Sequence, residues 1–205
     1  AQLVGVAKCF PHLRDFDLPL LLVRLVGDAL TRHAASPPVV SLCFDVLNAI
    51  CNSPLADSLC IAPEFAACVQ ALLPLVLGRM FLSTNPSLQV LDTSSAHGEA
   101  TELEEFVANG VEVIIAFLDF QPAVAIPVVS SALAPFFAHL ATALPASEDA
   151  LLDLTTAFVL LTNLQPNLTL SIDSFAALSM AFAPFVRLLQ HLPTAAGFFG
   201  LPALT

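Results

Sequence analysis

Ala71-Leu72-Leu73-Pro74-Leu75-Val76 places a proline in the middle of an apolar run. The same frame returns in Ala132-Leu133-Ala134-Pro135-Phe136-Phe137 and in Ala181-Phe182-Ala183-Pro184-Phe185-Val186, and Lys8-Cys9-Phe10-Pro11-His12-Leu13 is a looser fourth copy. A proline inside a helix removes one backbone donor and bends the helix axis. Its recurrence in an apolar frame predicts an internal repeat, in which one bent helical unit is used several times.

The spacing of apolar residues and of helix start signals predicts eight helices. They span residues 2–14, 18–35, 38–53, 63–83, 102–120, 124–144, 147–164 and 172–192. Start signals include Pro63 followed by Glu64 and the capping box formed by Thr101 and Glu104. Strand signals are poor, because period-two alternation is scarce. We therefore expect an all-α fold, an α-solenoid of HEAT- or armadillo-like helical hairpins with about four repeats. Residues 1–205 would form a single helical-repeat domain or a fragment of a longer solenoid.

Narrow polar stripes on several of these helices predict faces that meet water. Arg24, Asp28 and Arg32 recur every four residues. The apolar residues opposite them are Leu18, Leu21, Leu22, Leu25 and Ala29. Comparable stripes are Ser41, Asp45, Asn48 and Asn52 in the third predicted helix, and Asp149, Asp153, Thr156 and Asn163 in the seventh. A two-layer stack predicts this pattern, because each helix contacts a hairpin partner and both neighbouring repeats.

The composition is unusually apolar, with 57% hydrophobic and 11% charged residues. Residues 120–147 carry no Asp, Glu, Lys or Arg and are long enough to span a bilayer. An alternative function is therefore a helical subunit of a membrane or organellar complex, anchored by residues 120–147. Prolines at 122, 127, 135 and 145 interrupt this stretch, and lipid would penalise the polar stripes of its neighbours. The sequence therefore favours the helical stack over the membrane protein.

The formal net charge is −11, which argues against nucleic acid as a partner because phosphate binding needs a basic surface. Protein partners with basic segments fit this charge better, although the acidic residues are equally explained as a means of keeping the chain soluble. The sequence contains none of the common catalytic or phosphate-binding motifs, and its five histidines form no i, i+3 or i, i+4 pair. The five cysteines, at 9, 43, 51, 60 and 68, are expected to be buried free thiols. We expect no enzyme activity, catalytic residue, cofactor or metal site.

The densest acidic cluster lies where an expected exposed loop, residues 84–100, enters the fifth predicted helix. Its members are Asp92, Glu99, Glu102, Glu104, Glu105 and Glu112. One interpretation is that acidic residues in the first helical turn cap the helix and complement its dipole. The other is that they offer a negative surface to a lysine- or arginine-rich protein segment. A general acid/base pair is a weaker hypothesis than either, because no nucleophile lies nearby in sequence.

Residues 66–157 resemble HEAT repeats of the karyopherin-β, or importin-β, family of nuclear transport receptors. Ala71-Leu72-Leu73-Pro74-Leu75-Val76 ends one helix, and Glu102-Leu103-Glu104-Glu105-Phe106 opens another after a polar insertion. Ser131-Ala132-Leu133-Ala134-Pro135-Phe136-Phe137 and then Ser147-Glu148-Asp149-Ala150-Leu151 follow in the same order. The resemblance implies a superhelical receptor that wraps protein cargo, is released by the Ran GTPase, and works in cytoplasm and nucleus. Tryptophan and tyrosine, common in those receptors, are missing here.

Overall fold

A computed structural model of the chain describes residues 18–53, 56, 63–93, 100–143, 148–168, 176 and 183. Within these residues the regular structure consists of six α-helices and one short 3-10 helix. The α-helices are α1 (Leu18–Arg32), α2 (Pro37–Cys51), α3 (Pro63–Met80), α4 (Glu102–Phe120), α5 (Pro122–Ala143) and α6 (Glu148–Leu168), and the 3-10 helix spans Pro86–Val90. The expected all-α class is confirmed. The helices predicted at 2–14 and 172–192 lie outside the described residues, apart from two isolated positions.

Local signals set the starts of these helices. Pro37 and Pro63 are the first residues of α2 and α3, where a missing backbone N–H costs no hydrogen bond. The predicted capping box of α4 is confirmed. The Glu104 N–H donates to Thr101 Oγ1 at 3.1 Å, and the Thr101 N–H donates to Glu104 Oε2 at 2.8 Å. Pro74 lies inside α3, as predicted, and is exposed together with Gln70, whose carbonyl loses its usual helical donor.

The helices pack against neighbours that are close in the chain. Helix α1 packs against α2 and α3, α2 also packs against α4, and α3 packs against α4 and α5. Helix α6 packs against α4 and α5, which also contact each other. Each of these pairings joins helices that are consecutive or next but one in sequence. The packing of the described helices is thus between segments that are close in sequence.

Phenylalanine rings join the helices at the centre of this arrangement. Phe44 of α2 and Phe106 of α4 have ring centroids 5.4 Å apart, and Phe65 of α3 meets Phe117 of α4 edge-on at 6.3 Å. Phe44, Phe65 and Phe117 are fully buried, and removing a side chain of this size from water stabilises the fold by about 1.5–3 kcal/mol. Gly110 of α4 lies beside Phe44 and Met80, so a side chain there would collide with the core.

The structure corrects the predicted core face of α1. The polar stripe of Arg24, Asp28 and Arg32 is exposed as expected, but Leu21 and Leu25 are half-exposed instead of buried. The buried residues of α1 are Leu20, Val23, Val26 and Leu30. Helix α1 is apolar on nearly all sides, so its sequence alone did not determine which apolar stripe meets α2 and α3.

The predicted polar stripe of α6 is also partly wrong. Asp153 is 1% exposed, and its carboxylate accepts the N–H groups of Leu82 at 2.5 Å and Ser83 at 2.9 Å. Thr156 is buried as well. The two N–H groups belong to the turn that follows α3, so Asp153 ties α6 to that turn and α3 ends at Met80, earlier than predicted. A buried carboxylate is tolerated here because backbone donors replace its water.

No described helix is both long enough and apolar enough to cross a bilayer.

Candidate protein-binding site

The connection between α3 and α4 holds the entrance of α4 in place. Within the range predicted to be an exposed loop, Asn85 and Leu88 are buried. The Asn85 side-chain amide donates to the carbonyl of Arg79 at 3.0 Å, and its Oδ1 accepts the Ser87 hydroxyl at 2.6 Å. Residues 81–93 are therefore anchored by the buried side chains of Phe81, Leu82, Asn85 and Leu88, while their other side chains are exposed or half-buried. They carry Asp92 to the first turn of α4. Glu99, also predicted as a site residue, lies outside the described residues.

Two acidic residues of the predicted cluster act in local structure. Glu104 belongs to the capping box with Thr101. Glu102 accepts the N–H of Asp92 on its Oε2 at 3.0 Å, and the Leu103 N–H donates to the Asp92 carbonyl at 3.4 Å. The structure thus brings Asp92, Glu102 and Glu104 together at the start of α4. For Glu104 the capping interpretation is sufficient.

Glu105 and Glu112 lie farther along α4, on the side that faces α2. The Asn48 side-chain amide of α2 donates to Glu112 Oε2 at 3.4 Å. Glu105 is exposed, and its carboxylate makes no hydrogen bond or ion pair within the described part of the chain. Asp45 lies between Ser41 and Asn48 on the polar stripe of α2 and is exposed. We call Asp45, Glu102, Glu105 and Glu112 the α2–α4 acidic surface.

An open groove of about 210 Å³ lies at one end of this surface. Its apolar lining consists of Pro37, Pro38, Leu91 and Phe106. Its polar lining consists of Ser41, Glu102, Glu105 and Asn109. The acidic residues here were predicted from sequence, but Ser41, Leu91, Phe106 and Asn109 were not. The polar stripe of α2 was visible in the sequence, whereas its position beside α4 depends on the packing of two distant segments.

The described residues also carry little other chemistry. Cys43 and Cys51 are buried, as expected, Cys68 is half-buried, and none of the three is in a disulfide. Cys9 and Cys60 lie outside the described residues. Burial raises the pKa of the Cys43 thiol, which disfavours the reactive thiolate. Among the described residues, no three His, Cys, Asp or Glu side chains lie close enough together to hold a metal ion.

Comparison of the chain with protein-family models, with curated proteins and with solved structures found no match.

Proposed function

We propose that this protein is a non-enzymatic binding scaffold, an α-solenoid of HEAT- or armadillo-like hairpins that holds basic protein segments on its α2–α4 acidic surface. The observation that carries the proposal is that Glu102, Glu105 and Glu112 lie on one exposed face of α4 without a basic partner among the described residues. The solenoid supplies the scaffold, and the carboxylates supply the attraction.

The packing of α1 and α3 supports the solenoid. A side chain on Gly27 of α1 would meet Leu72 of α3. About two helical turns farther along α3, Arg79 donates from Nε to the carbonyl of Leu30, which follows Gly27 in α1, at 3.1 Å. Residue numbers thus rise in the same direction along both helices. Parallel packing of helices that are next but one in sequence is what stacked hairpins produce.

Helices α2 and α4 repeat this relation. Phe44 meets Phe106, and farther along both helices Asn48 meets Glu112, so these two helices are also parallel. Helix α3 runs the other way against α4, because Phe65 meets Phe117 while Met80 lies beside Gly110. Two rows of parallel helices, with opposite directions in the two rows, fit a two-layer stack of hairpins.

The distribution of charge supports a basic partner. The chain has 17 acidic residues against 6 lysines and arginines. The described arginines are Arg24, Arg32 and Arg79. Arg24 is exposed on α1, Arg32 pairs with Asp28 in the same helix at 3.5 Å, and Arg79 donates to the Leu30 carbonyl. None of the three forms an ion pair with the α2–α4 acidic surface. An uncompensated surface of one sign attracts a partner of the opposite sign and raises its rate of association.

The resemblance to karyopherin-β receptors leads to a narrower form of the proposal. In that form the chain is part of a nuclear import or export receptor that wraps basic cargo and responds to the Ran GTPase, in cytoplasm and nucleus. Small rotations between repeats would add along the stack and change its curvature when a partner binds. Binding of GTP-loaded Ran is the observation that would separate this receptor from a general scaffold.

The test is binding of a fluorescein-labelled octapeptide of alternating lysine and serine, followed by anisotropy over a range of salt concentrations. We expect binding that weakens steeply with salt, because exposed charges are screened. A variant with Glu102, Glu105 and Glu112 all changed to Gln should lose most of the affinity, whereas Glu64→Gln, on the exposed start of α3, serves as a control. Affinity that does not depend on salt, or equal affinity of the triple variant, would refute the charge-driven function. GTP-loaded Ran is titrated in parallel.

A further inference from the structure

The groove at the end of the α2–α4 acidic surface combines an apolar floor with a charged rim. Phe106 and Pro37 are buried and Leu91 is half-buried, so these side chains form a floor and wall that cannot hydrogen-bond. Glu102 and Glu105 stand at the rim and are exposed. A ligand that fits both parts has an apolar stem and a cationic end.

The polar groups of the groove have acceptor capacity to spare. The Glu105 carboxylate has no hydrogen-bond partner among the described residues, and the Glu102 carboxylate is engaged there only through Oε2, by the Asp92 N–H. Ser41 and Asn109 each add an uncharged oxygen that can accept a hydrogen bond. An ammonium or guanidinium group brings three to five donors and no acceptor, so it matches this set.

The groove is small. Its volume of about 210 Å³ is below the roughly 300 Å³ at which pockets for drug-sized ligands begin. The groove lies at the surface between two helices and is open to solvent. A protein segment that binds across the groove could therefore insert one side chain. The size favours a single side chain of a protein segment over a cofactor or metabolite.

We propose that this groove is an anchor subsite for one lysine or arginine side chain of a bound protein segment. The aliphatic stem lies along Phe106 and Leu91, and the cationic end lies between Glu102 and Glu105. Long basic side chains bury their methylene stems on apolar surface in this way while the charge stays near water. The proposal rests on the proposed function, because it names the part of the α2–α4 acidic surface that selects a residue.

The experiment compares two variants of α4 that lose the same charge. Glu105→Gln removes a carboxylate at the groove, and Glu112→Gln removes one farther along the same helix. The 205-residue chain is titrated with the lysine-serine octapeptide at fixed salt. We expect Glu105→Gln to weaken binding about fivefold, the upper end for an exposed ion pair, and Glu112→Gln to weaken it less than about twofold. Circular dichroism of each variant checks that the fold is retained.

A third variant tests the cavity apart from its charge. Ser41→Leu fills the groove and leaves every carboxylate in place, so it should weaken binding about as much as Glu105→Gln. Full binding by Ser41→Leu, or equal losses in Glu105→Gln and Glu112→Gln, would overturn the subsite while leaving the charged surface as the binding site. Absence of peptide binding by the unmodified chain at any salt concentration would overturn both the subsite and the proposed function.

Acetylation of the peptide lysines gives an independent readout. The acetylated side chain keeps its stem and loses its charge. The acetylated peptide should therefore bind the Glu105→Gln variant and the unmodified chain with equal affinity. A peptide that still discriminates after acetylation would contradict the ion-pair geometry at the rim.

Discussion

Gly110 offers the sharpest test of the packing described above. A Cβ at this position would lie 2.8 Å from Met80 Sδ, 2.9 Å from Met80 Cγ and 3.1 Å from Phe44 Cε2. Unstrained contacts between such atoms are about 3.5–4.0 Å. Met80 and Phe44 are 1% and 0% exposed, so neither can move away into solvent. We expect Gly110→Ala to force strain into the centre of the core.

The magnitude follows from two opposing effects. Alanine in place of glycine inside a helix stabilises by about 1 kcal/mol, whereas overpacking a close-packed core costs about 1–3 kcal/mol. Gly78 of α3 is the matched control, because a Cβ there would meet nothing within 4 Å. Gly78→Ala should therefore raise the free energy of unfolding by about 0.5–1 kcal/mol. The difference between the two variants removes the shared helix effect and should equal the overpacking cost.

Urea unfolding followed by far-ultraviolet circular dichroism measures both changes. The chain has no tryptophan or tyrosine, so intrinsic fluorescence is a poor probe. A double-mutant cycle assigns the strain to its source: in a Met80→Ala background, which itself costs about 2–5 kcal/mol, Gly110→Ala should become stabilising. Equal stabilisation by Gly110→Ala and Gly78→Ala would refute the close approach of α4 to α3 and α2.

Three further predictions concern a buried carboxylate, a helix cap and a thiol. Asp153→Asn should lower the free energy of unfolding by about 1–3 kcal/mol. The Leu82 and Ser83 N–H groups donate to different oxygens of Asp153, and in asparagine one of these oxygens is replaced by an NH2 group that cannot accept a hydrogen bond. Asp149→Asn, on the same helix, should cost less than about 0.5 kcal/mol in the same urea titration, and equal costs would contradict the burial of Asp153. Thr101→Ala should cost about 1 kcal/mol by removing the cap of α4, whereas Thr101→Ser keeps the hydroxyl and should be near neutral; thermal unfolding measures both. Because burial raises the pKa of the Cys43 thiol, the folded chain at mildly alkaline pH should hold less Cys43 thiolate than a solvated cysteine would. Alkylation mapped by mass spectrometry should therefore reach Cys43 only after urea is added. Alkylation of Cys43 that is as fast in the folded chain as in urea would argue against its burial.

Helix positions were predictable because their signals are local. The prolines that open α2 and α3 and the capping box of α4 act within a few residues of the chain, and the predicted starts at 63 and 102 agree with the structure. The end of α3 was predicted three residues too late. The N–H groups of Leu82 and Ser83, in the turn that follows α3, bind Asp153 about 70 residues away in sequence, and no local pattern reports such a contact.

The candidate site was predictable only in part, for the same reason. The sequence shows that the first turns of α4 are acidic, but it does not show which of these carboxylates are used in local hydrogen bonds. Glu104 is used as a cap and Glu102 is partly engaged by Asp92, while Glu105 is left with spare acceptors. The apolar floor comes from Phe106 together with Leu91 and the start of α2, and these segments meet only in the folded chain.

The sequence by itself determined that the chain is helical, where most helices begin and that its surface is acidic, because propensity, capping and charge are properties of short segments. The tertiary structure alone decided which apolar stripe of α1 is buried, that Asp153 is inside, and that α2 lies parallel to α4 beside a groove. The physical reason is that helices as apolar as these have several faces that could be buried. The choice among them is made by the shape and hydrogen-bonding needs of the neighbouring helices.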